Sequence, residues 1–484
     1  MNILVLETST TSAKAMLYDT ELKTYQLETK VLDKFYDDVT LHDAKSVYEQ
    51  TLQLGKKLCQ KGAIDMITIV TTWHSLLLCD ELMEPITPTY LWSNNMANKT
   101  VSLMKGDRSF VEEYYRKTGC VPSSTYPYFK LKHLLEQENL NLANTYICDQ
   151  GSYNYYRLTG SYATSNTMAS GSGLYNLNTD GYDQEILKEL SIECQQLPLV
   201  EAGNKLINER LSLSNEAKEY LGIENDVEVT VANPDGAMNQ LGSSGRATGS
   251  MTLSVGTSGA IRVYAKRPLL SEAMRTWCYK MDEGWLAGGA TSGACSYVDD
   301  EKEKLFAGAK TYENLEKDLL DLHNEIILNK ESFMKQCYYM PFNYGERSPG
   351  WNMYRSGGYR LDIEASGVER YRSALEGVLF NLYQCYEELV AMGQIPRKIR
   401  LSGGILHSNY WVQMCADIFG QTITIDPQIQ TSLVGGVEFA MNSINKTILE
   451  EELSLEKVVV PNHQLHELYK HRYEKYLCLY DSND

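Results

Sequence analysis

The chain alternates between short apolar runs and longer amphipathic stretches. Apolar runs bounded by polar turn residues, such as ILVL at 3–6 and AMLY at 15–18, are typical of strands. Helical periodicity runs through segments 44–62, 126–140 and 368–393. Because strands and helices alternate, the pattern predicts an α/β protein built in layers.

Two strand–turn–strand patterns of similar composition lie about half the chain apart. The first has the turn TSTTS at 8–12, and the second reads MTLSVGTSGAIRVY at 251–264. Similar hairpins at the head of each half predict two copies of one unit. We therefore divide the chain into domains 1–245 and 246–484. Segment 398–420 in the second half predicts a strand, a glycine turn and a helix.

Size and composition narrow the class of protein. At 484 residues the chain is too long for one ordinary core, so two or three domains are expected. The net charge of −18 argues against nucleic acid or an anionic membrane as a partner. No apolar run approaches the ~20 residues that span a bilayer. The 11 cysteines are scattered without a Cys-x-x-Cys pair, which predicts reduced thiols in a cytoplasmic protein.

The hydroxyl-rich turns are candidate phosphate sites. A tight turn of Thr, Ser and Gly directs backbone N–H groups and hydroxyls to one point, and Lys14 could add a charge. Either turn alone could be an ordinary β-turn. Two such turns heading two halves favour a phosphate-binding cleft. A third turn, Gly403-Gly404, would let a ligand approach the backbone at a helix N-terminus, although glycine pairs also serve plain turns.

Asp235 and His74 are candidate catalytic or binding residues. Asp235, in NPDGAM, could be a general base that takes a hydroxyl proton, or a turn or cap residue, and the local sequence alone favours the turn role. His74, in TTWHSLLL, could bind a substrate hydroxyl, or could be a structural residue beside an apolar run.

As an ordered set these segments resemble the FGGY carbohydrate kinases, and within them the gluconokinase-like branch. The resemblance is collinear over nearly the whole chain and includes the opening hairpin, TWHS, LWSNN, YPYFKLKHLLEQE, TMASGSGLYNL, NPDGAMNQLG, TLSVGTSGAIRV, WCYKMDEGWLAGGA, GERSPGW and LSGGILHSNYWVQMCADIFG. It implies two actin-like (ribonuclease H-like) α/β domains flanking a central cleft. It also implies ATP and Mg²⁺ as co-substrates and a small sugar or polyol as acceptor, and leaves a homodimer as one option for assembly.

The resemblance also implies roles for individual residues. Asp235 would be the base that deprotonates the acceptor hydroxyl, and Glu7 would hold Mg²⁺ through water. The residues at the transferred phosphate would be Thr10, Thr11, Ser12, Lys14, Gly256, Thr257 and Ser258. Those at the adenosine would be Gly403, Gly404, Ser408 and Asn409. The acceptor would lie against Trp73, His74, Ser75, Trp92 and Asn94, beside Asp235.

The chain departs from the family pattern at several of these positions. The first motif usually has Asp and Gly where this chain has Glu7 and Ser9. The usual Trp-x-Asp-x-Arg is Trp-Ser-Asn-Asn-Met at 92–96, and charged residues are also missing at 151–152 and Ser165. The leading hypothesis is an ATP-dependent kinase for a sugar, polyol or gluconate-like sugar acid. The alternatives are a catalytically impaired nucleotide- or sugar-binding protein that uses cleft closure as a switch, and a purely structural protein.

Overall fold

A computed structural model describes residues 1–137, 142–201, 211–244, 246–361, 364–425, 430–448 and 457–482. Gly245, at the predicted domain boundary, lies outside these ranges.

The strands of the first half are β1 (Asn2–Thr8), β2 (Ser12–Asp19), β3 (Thr24–Val31), β4 (Leu41–His42), β5 (Met66–Thr71), β6 (Leu77–Cys79), β7 (Thr89–Tyr90), β8 (Tyr146–Cys148), β9 (Ala163–Ser165), β10 (Tyr175–Asn176), β11 (Gly181–Tyr182), β12 (Leu199–Glu201), β13 (Glu228–Val229) and β14 (Asn233–Pro234). Its helices are α1 (Ala44–Cys59), α2 (Asn98–Lys105), α3 (Arg108–Thr118), α4 (Pro127–Gln137), α5 (Gln150–Thr159), α6 (Asn166–Ser170), α7 (Gln184–Glu189), α8 (Asn215–Leu221) and α9 (Asp235–Ser244).

The second half has a similar mixture of strands and helices. Its strands are β15 (Ser250–Val255), β16 (Gly259–Ala265), β17 (Trp277–Met281), β18 (Gly284–Ala290), β19 (Tyr338–Met340), β20 (Gly358–Arg360), β21 (Lys398–Ser402), β22 (Ile423–Ile425) and β23 (Lys457–Val459). Its helices are α10 (Cys295–Phe306), α11 (Tyr312–Leu328), α12 (Lys330–Lys335), α13 (Gly367–Ala391), α14 (Asn409–Phe419), α15 (Thr431–Ser443) and α16 (His463–Asp481). The predicted α/β class is confirmed.

The two main sheets repeat one arrangement. In the first sheet, with the order β13-β5-β1-β2-β3, β1 pairs antiparallel with β2 and parallel with β5. In the second, with the order β17-β18-β16-β15-β21-β22-β23, β15 pairs antiparallel with β16 and parallel with β21. Both predicted hairpins are therefore present, and each lies next to a parallel strand at the centre of its sheet. In both sheets the hairpin turn lies at the carboxyl end of that central strand, the edge where open α/β sheets bind ligands.

Helix ends follow local capping chemistry. The Asp43 carboxylate accepts a hydrogen bond from the Ser46 N–H at 2.7 Å and begins α1. Ser366 and Glu369 form a reciprocal capping box that begins α13, and the αL residue Gly420 ends α14. These signals explain why the predicted helices at 44–62 and 368–393 form close to their expected bounds. None of the helices in the described ranges has both the length and the apolar character needed to cross a membrane.

Helices α9 and α15 join the two halves. Leu433 and Val437 of α15 belong to the same buried core as Ile3 and Val5 of β1, so the second half returns a helix to the first sheet. A Cβ at Gly242 of α9 would lie 2.0 Å from the Thr431 carbonyl oxygen, so only glycine permits this close helix contact. The division at residue 245 remains a prediction about chain segments, since the first core recruits a helix from beyond it.

Candidate active site

A cavity of about 430 Å³ lies between the two sheets, and both halves of the chain line it. The predicted site residues that line it are Glu7, Thr10, Thr11, Lys14, Trp73, His74, Trp92, Asp235, Gly256, Thr257 and Ser258. The two hydroxyl-rich turns and the candidate base thus share one space, although the turns lie about half the chain apart in sequence.

The first turn is closed by the side chain of Ser9. The Ser9 N–H donates to the Ser12 carbonyl oxygen at 2.9 Å, and the Ser9 hydroxyl donates to the same oxygen at 2.9 Å. Ser12 lies within the turn, with its hydroxyl 3.0 Å from that of Ser9 and outside the cavity lining. The serine that replaces the family glycine therefore stabilises the turn, and Thr10 and Thr11 remain at the cavity.

Glu7 is held from both halves of the molecule. Its Oε2 accepts from Lys14 Nζ at 3.0 Å, across the β1–β2 hairpin. Its Oε1 accepts from the Ser432 hydroxyl of α15 at 2.8 Å. The Glu7 side chain is only 3% exposed, so the adjacent ammonium group compensates most of its buried charge.

Asp235 begins α9 and lies at the cavity. Its Oδ1 accepts the Gly236 N–H at 2.7 Å, and Oδ2 makes no hydrogen bond with the described residues. Burial and the negative charge of Glu7 raise the pKa of Asp235 to about 6, against the opposing effects of the Gly236 N–H, Arg262 and Lys14. The carboxylate is therefore mostly ionised at neutral pH and more basic than an ordinary aspartate, as a general base requires.

An aromatic wall faces Asp235. Trp277 and Tyr279 of β17 stack at 4.5 Å, and Trp73 meets Tyr279 edge-on at 4.8 Å. His74 stacks on Trp73 at 5.2 Å. Sequence analysis missed Trp277 and Tyr279, although their i, i+2 spacing on one strand indicates a shared face.

His74 is a neutral residue of this wall. Its Nδ1 lies 2.6 Å from the Gly171 carbonyl oxygen, which can only accept, so Nδ1 carries the proton. Burial lowers the pKa of His74 to about 3 despite this hydrogen bond. Its φ of +62° lies in the left-handed region, so the backbone at this position is strained. His74 therefore makes a structural hydrogen bond and also lines the cavity.

Trp92 links the predicted acceptor segment to the first turn. Its indole N–H donates to the Thr10 hydroxyl at 3.1 Å. On its ring lies the guanidinium group of Arg347, 4.9 Å from the ring centroid. A side chain from each half therefore meets at this wall of the cavity.

Two arginines that sequence analysis missed also line the cavity. Arg262 extends from β16, and Arg347 lies in the GERSPGW segment between β19 and β20. Arg262 could have been identified from the sequence, because it lies two positions after Ala260 on the strand that follows the second turn. Residues two apart on a strand point to the same face. Comparison of the sequence with the family pattern indicated only that charged residues are missing from the first half of the chain. In the structure, the second half brings two positively charged side chains into the same cavity.

Two predicted acceptor residues lie outside the cavity lining. The Asn94 amide donates to the Thr40 hydroxyl at 2.8 Å. The Ser75 hydroxyl accepts the Gln150 N–H at 3.1 Å. Both contacts are within the first half and hold the acceptor loops in place.

Of the residues predicted for adenosine, Gly403 and Gly404 lie next to the second turn, and none of the four lines the cavity. Gly403 has a φ of +99°, and a Cβ there would lie 2.4 Å from the Val255 carbonyl oxygen, so the third turn packs directly on the second. Gly404 approaches Cys295. Ser408 caps α14 through the Trp411 N–H at 3.0 Å and donates to Glu316 at 2.6 Å. The Asn409 Oδ1 accepts from Lys457 at 3.3 Å.

Comparison with known proteins identifies the family. The model of the FGGY family of carbohydrate kinases, N-terminal domain, matches residues 2–242, and that of its C-terminal domain matches residues 251–443. The chain belongs to the FGGY family of carbohydrate kinases. The predicted family and its two-domain α/β fold are therefore confirmed.

Individual relatives agree with this assignment. Gluconokinase from Bacillus subtilis (strain 168) is 25% identical over 460 residues, which cover 92% of this chain and 88% of the relative. Gluconate kinase from Lactobacillus acidophilus matches with a TM-score of 0.90 and 26% identity, over 99% of this chain and 98% of that one. Ligand-bound xylulose kinase from the same organism matches with a TM-score of 0.89 and 27% identity, over 99% and 98%. The protein is a carbohydrate kinase, a phosphotransferase with an alcohol group as acceptor.

Proposed function

We propose that this FGGY kinase transfers the γ-phosphate of ATP to a hydroxyl of a sugar acid such as gluconate, with Asp235 as general base. The observation that carries the proposal is the shared cavity, in which Asp235 lies with both hydroxyl-rich turns. Gluconokinase and gluconate kinase are among the most similar relatives, which supports a gluconate-like acceptor within the broader class of sugars and polyols.

Asp235 supplies the proton acceptor. The Gly236 N–H fixes Oδ1 at 2.7 Å, which leaves Oδ2 for the acceptor hydroxyl. The raised pKa, about 6, increases the basicity of the carboxylate while keeping it ionised at neutral pH. Neutral His74 and the aromatic wall pack against the acceptor and exclude water from it. Oriented in this way, the hydroxyl is positioned for in-line attack.

The two turns hold the phosphates. Thr10, Thr11 and Lys14 approach from the first half, while Gly256, Thr257 and Ser258 approach from the second. Backbone N–H groups in such turns bind phosphate oxygens without side-chain charge. The packing of Gly403 and Gly404 on the second turn supports an adenosine site at Gly403, Gly404, Ser408 and Asn409, because the nucleotide would extend from its phosphates along this side.

The donor set fits magnesium. Mg²⁺ prefers oxygen ligands, keeps several waters and usually binds through one or two carboxylates plus substrate phosphates. Glu7 supplies such a carboxylate at the phosphate turns. Both Glu7 oxygens already accept hydrogen bonds, from Lys14 and Ser432, which supports contact through water. When bound with ATP, the cation neutralises charge on the transferred phosphate.

Coupled ADP release tests the proposal. Gluconate, xylulose, ribulose, glycerol and erythritol are offered with ATP and Mg²⁺, and gluconate is expected to raise turnover most, at least about 100-fold above background hydrolysis. Failure of every acceptor to raise turnover would sink the proposal. Ligand-induced thermal stabilisation without any product would instead favour the alternative of a binding protein that uses cleft closure as a switch.

A further inference from the structure

The two cavity arginines have N–H groups without partners. Arg347 is 8% exposed, and its buried Nε has no hydrogen-bond acceptor among the described residues. The same holds for Nε and Nη1 of Arg262. A buried N–H group that has given up water without gaining an acceptor is strongly unfavourable. Such groups are expected where a bound ligand supplies the acceptor.

Positive charge exceeds negative charge around Arg347. Burial lowers the pKa of Arg347, and among the described residues the groups that oppose this effect are the hydroxyls of Tyr279 and Tyr126. Lys130 lies in the same region, where burial and Arg347 lower its pKa to about 7. Its Nζ donates to the carbonyl oxygens of Ser124 and Thr125, at 2.6 and 2.8 Å. A buried cationic region of this kind lacks an anion.

The positive charge of Arg262 is only partly compensated by nearby residues. Burial lowers its pKa to about 10, Asp235 opposes this effect, and Arg347 adds to it. If Asp235 acts as the base, its negative charge disappears when it takes a proton from the acceptor. Arg262 and Arg347 would then repel each other, and Glu7, the other carboxylate named in the cavity lining, is already paired with Lys14. A ligand anion between them would remove this repulsion.

Packing holds both guanidinium groups without using their N–H donors. Arg347 lies 4.9 Å above the Trp92 ring. Arg262 pairs in the sheet with Gly288, where a Cβ would lie 2.9 Å from the Trp277 ring, so the indole packs where a side chain at this position would be. The arginine fork suits a planar carboxylate, which can accept two parallel N–H bonds.

We propose that Arg262 and Arg347 bind the carboxylate of the acceptor, so that this kinase selects sugar acids over neutral sugars and polyols. The inference rests on the proposed function and deepens it. A carboxylate is favoured over an ATP phosphate because Arg347 lies on Trp92 and beside Tyr126 and Tyr279, on the aromatic side of the cavity. The phosphate turns have their own N–H groups and Lys14.

Three acceptors with one carbon skeleton test the selection. Gluconate carries a carboxylate, gluconamide a neutral amide, and sorbitol a hydroxymethyl group at the same carbon. For the wild type, kcat/KM for gluconate should exceed that for gluconamide and sorbitol by about 100-fold, the scale of a lost buried charge pair. In Arg347→Met and Arg262→Met this preference should fall to within about threefold, while KM for ATP stays within about twofold of the wild type.

A matched control removes the same charge from the surface. Arg267 follows β16 and is exposed, so Arg267→Met should keep the full gluconate preference. Arg347→Lys retains a charge without the fork and should show an intermediate preference, which provides a measurement if the Met variant does not fold. Melting temperatures with gluconate report acceptor binding independently of turnover.

Other outcomes separate the two proposals. Equal use of gluconate and gluconamide by the wild type would overturn the carboxylate subsite and leave the kinase function intact. A raised KM for ATP in the arginine variants, with the gluconate preference unchanged, would assign the arginines to the nucleotide and overturn the inference. Absence of turnover with all acceptors would instead remove the proposed function on which the inference rests.

Discussion

Two buried charge clusters in this kinase differ in how their groups are satisfied. Between α13 and α16, Oε2 of Glu376 accepts hydrogen bonds from Arg372 at 3.0 Å and from Arg472 at 2.7 Å, and Oε1 accepts from Nε of Arg472. Arg472 also donates to the backbone carbonyl oxygens of Phe333 and Cys337. In the cavity, the Asp235 carboxylate accepts one hydrogen bond, and the side chains of Arg262 and Arg347 make none with the described residues.

The electrostatic consequences are opposite. Burial alone would raise the pKa of Glu376, but Arg372 and Arg472 outweigh burial and lower it. The pKa of Asp235 is raised to about 6 because burial and Glu7 outweigh the cations near it. Both clusters contain buried arginine N–H groups without a partner among the described residues, including Nε and Nη1 of Arg372. In the first cluster, however, each arginine also donates to the Glu376 carboxylate, whereas neither cavity arginine donates to a carboxylate of the described residues. The missing ion pair, rather than buried charge, therefore distinguishes the candidate site.

The largest expected effect is on turnover. Asp235→Asn keeps the shape and the Gly236 hydrogen bond but removes the base, so kcat should fall by about 10³-fold or more. The folded pKa of Asp235 is above the ordinary value, so its ionised form is unfavourable in the fold at pH 7.5. The variant should therefore be as stable as the wild type, or more stable by about 1–2 kcal/mol. Coupled ADP release and melting temperature measure the two effects. Loss of activity together with a clear loss of stability would make Asp235 a structural residue.

The second-largest expected effect is a loss of folding stability when the Glu376 cluster is changed. Glu376→Gln leaves Arg372 and Arg472 buried without a counter-charge and should lower the free energy of unfolding by about 3–5 kcal/mol. At temperatures where the variant is folded, kcat/KM should stay within about twofold of the wild type. Glu467→Gln on α16 is the control, because its partner Lys470 and its own side chain are exposed and such surface pairs contribute little to stability. Equal melting temperatures for both variants would contradict the comparison.

The smallest effect is a shift in pH dependence. The base must be ionised, so kcat/KM should fall about tenfold per pH unit as the pH drops below about 6, the pKa of Asp235. Arg262 lowers this pKa, so Arg262→Met should move the acid limb to higher pH. Arg267→Met should leave it in place, which separates Asp235 from the titration of ATP and acceptor. An acid limb at the same pH in all three proteins would show that another group titrates.

Much of the fold was predictable because its signals are local. The apolar runs at 3–6 and 15–18 and the Gly/Ser/Thr turn at 256–258 specify hairpins by short-range chemistry. The long helix at 368–393 follows from its periodicity and its serine cap. The packing of α15 in the core of the first half was not predictable, because Leu433 and Val437 form an apolar helix face that could pack in either half. That choice is made by the close contact at Gly242 and Gly435.

The site was predictable only where a motif carries its chemistry in adjacent residues. Asp235 and the two turns were identified in this way, and the structure brings them to one cavity. Ser75 and Asn94 were included because of their neighbours in sequence, yet their polar groups bond to Gln150 and Thr40. Arg347 carries no local signal, because an arginine in a loop has the same sequence appearance whether it faces solvent or a cavity.

The sequence by itself determined the hairpins and the helices, because each rests on backbone preferences and side chains within a few positions of one another. It also determined the family and the candidate base, through the order of many motifs along nearly the whole chain. The tertiary structure decided which charges meet. It placed Ser432 on Glu7 and Arg347 on Trp92, pairs separated by hundreds of residues. Coulomb interactions and desolvation depend on distance and burial in space, so the balance of charge around Asp235 was settled only when the two halves packed together.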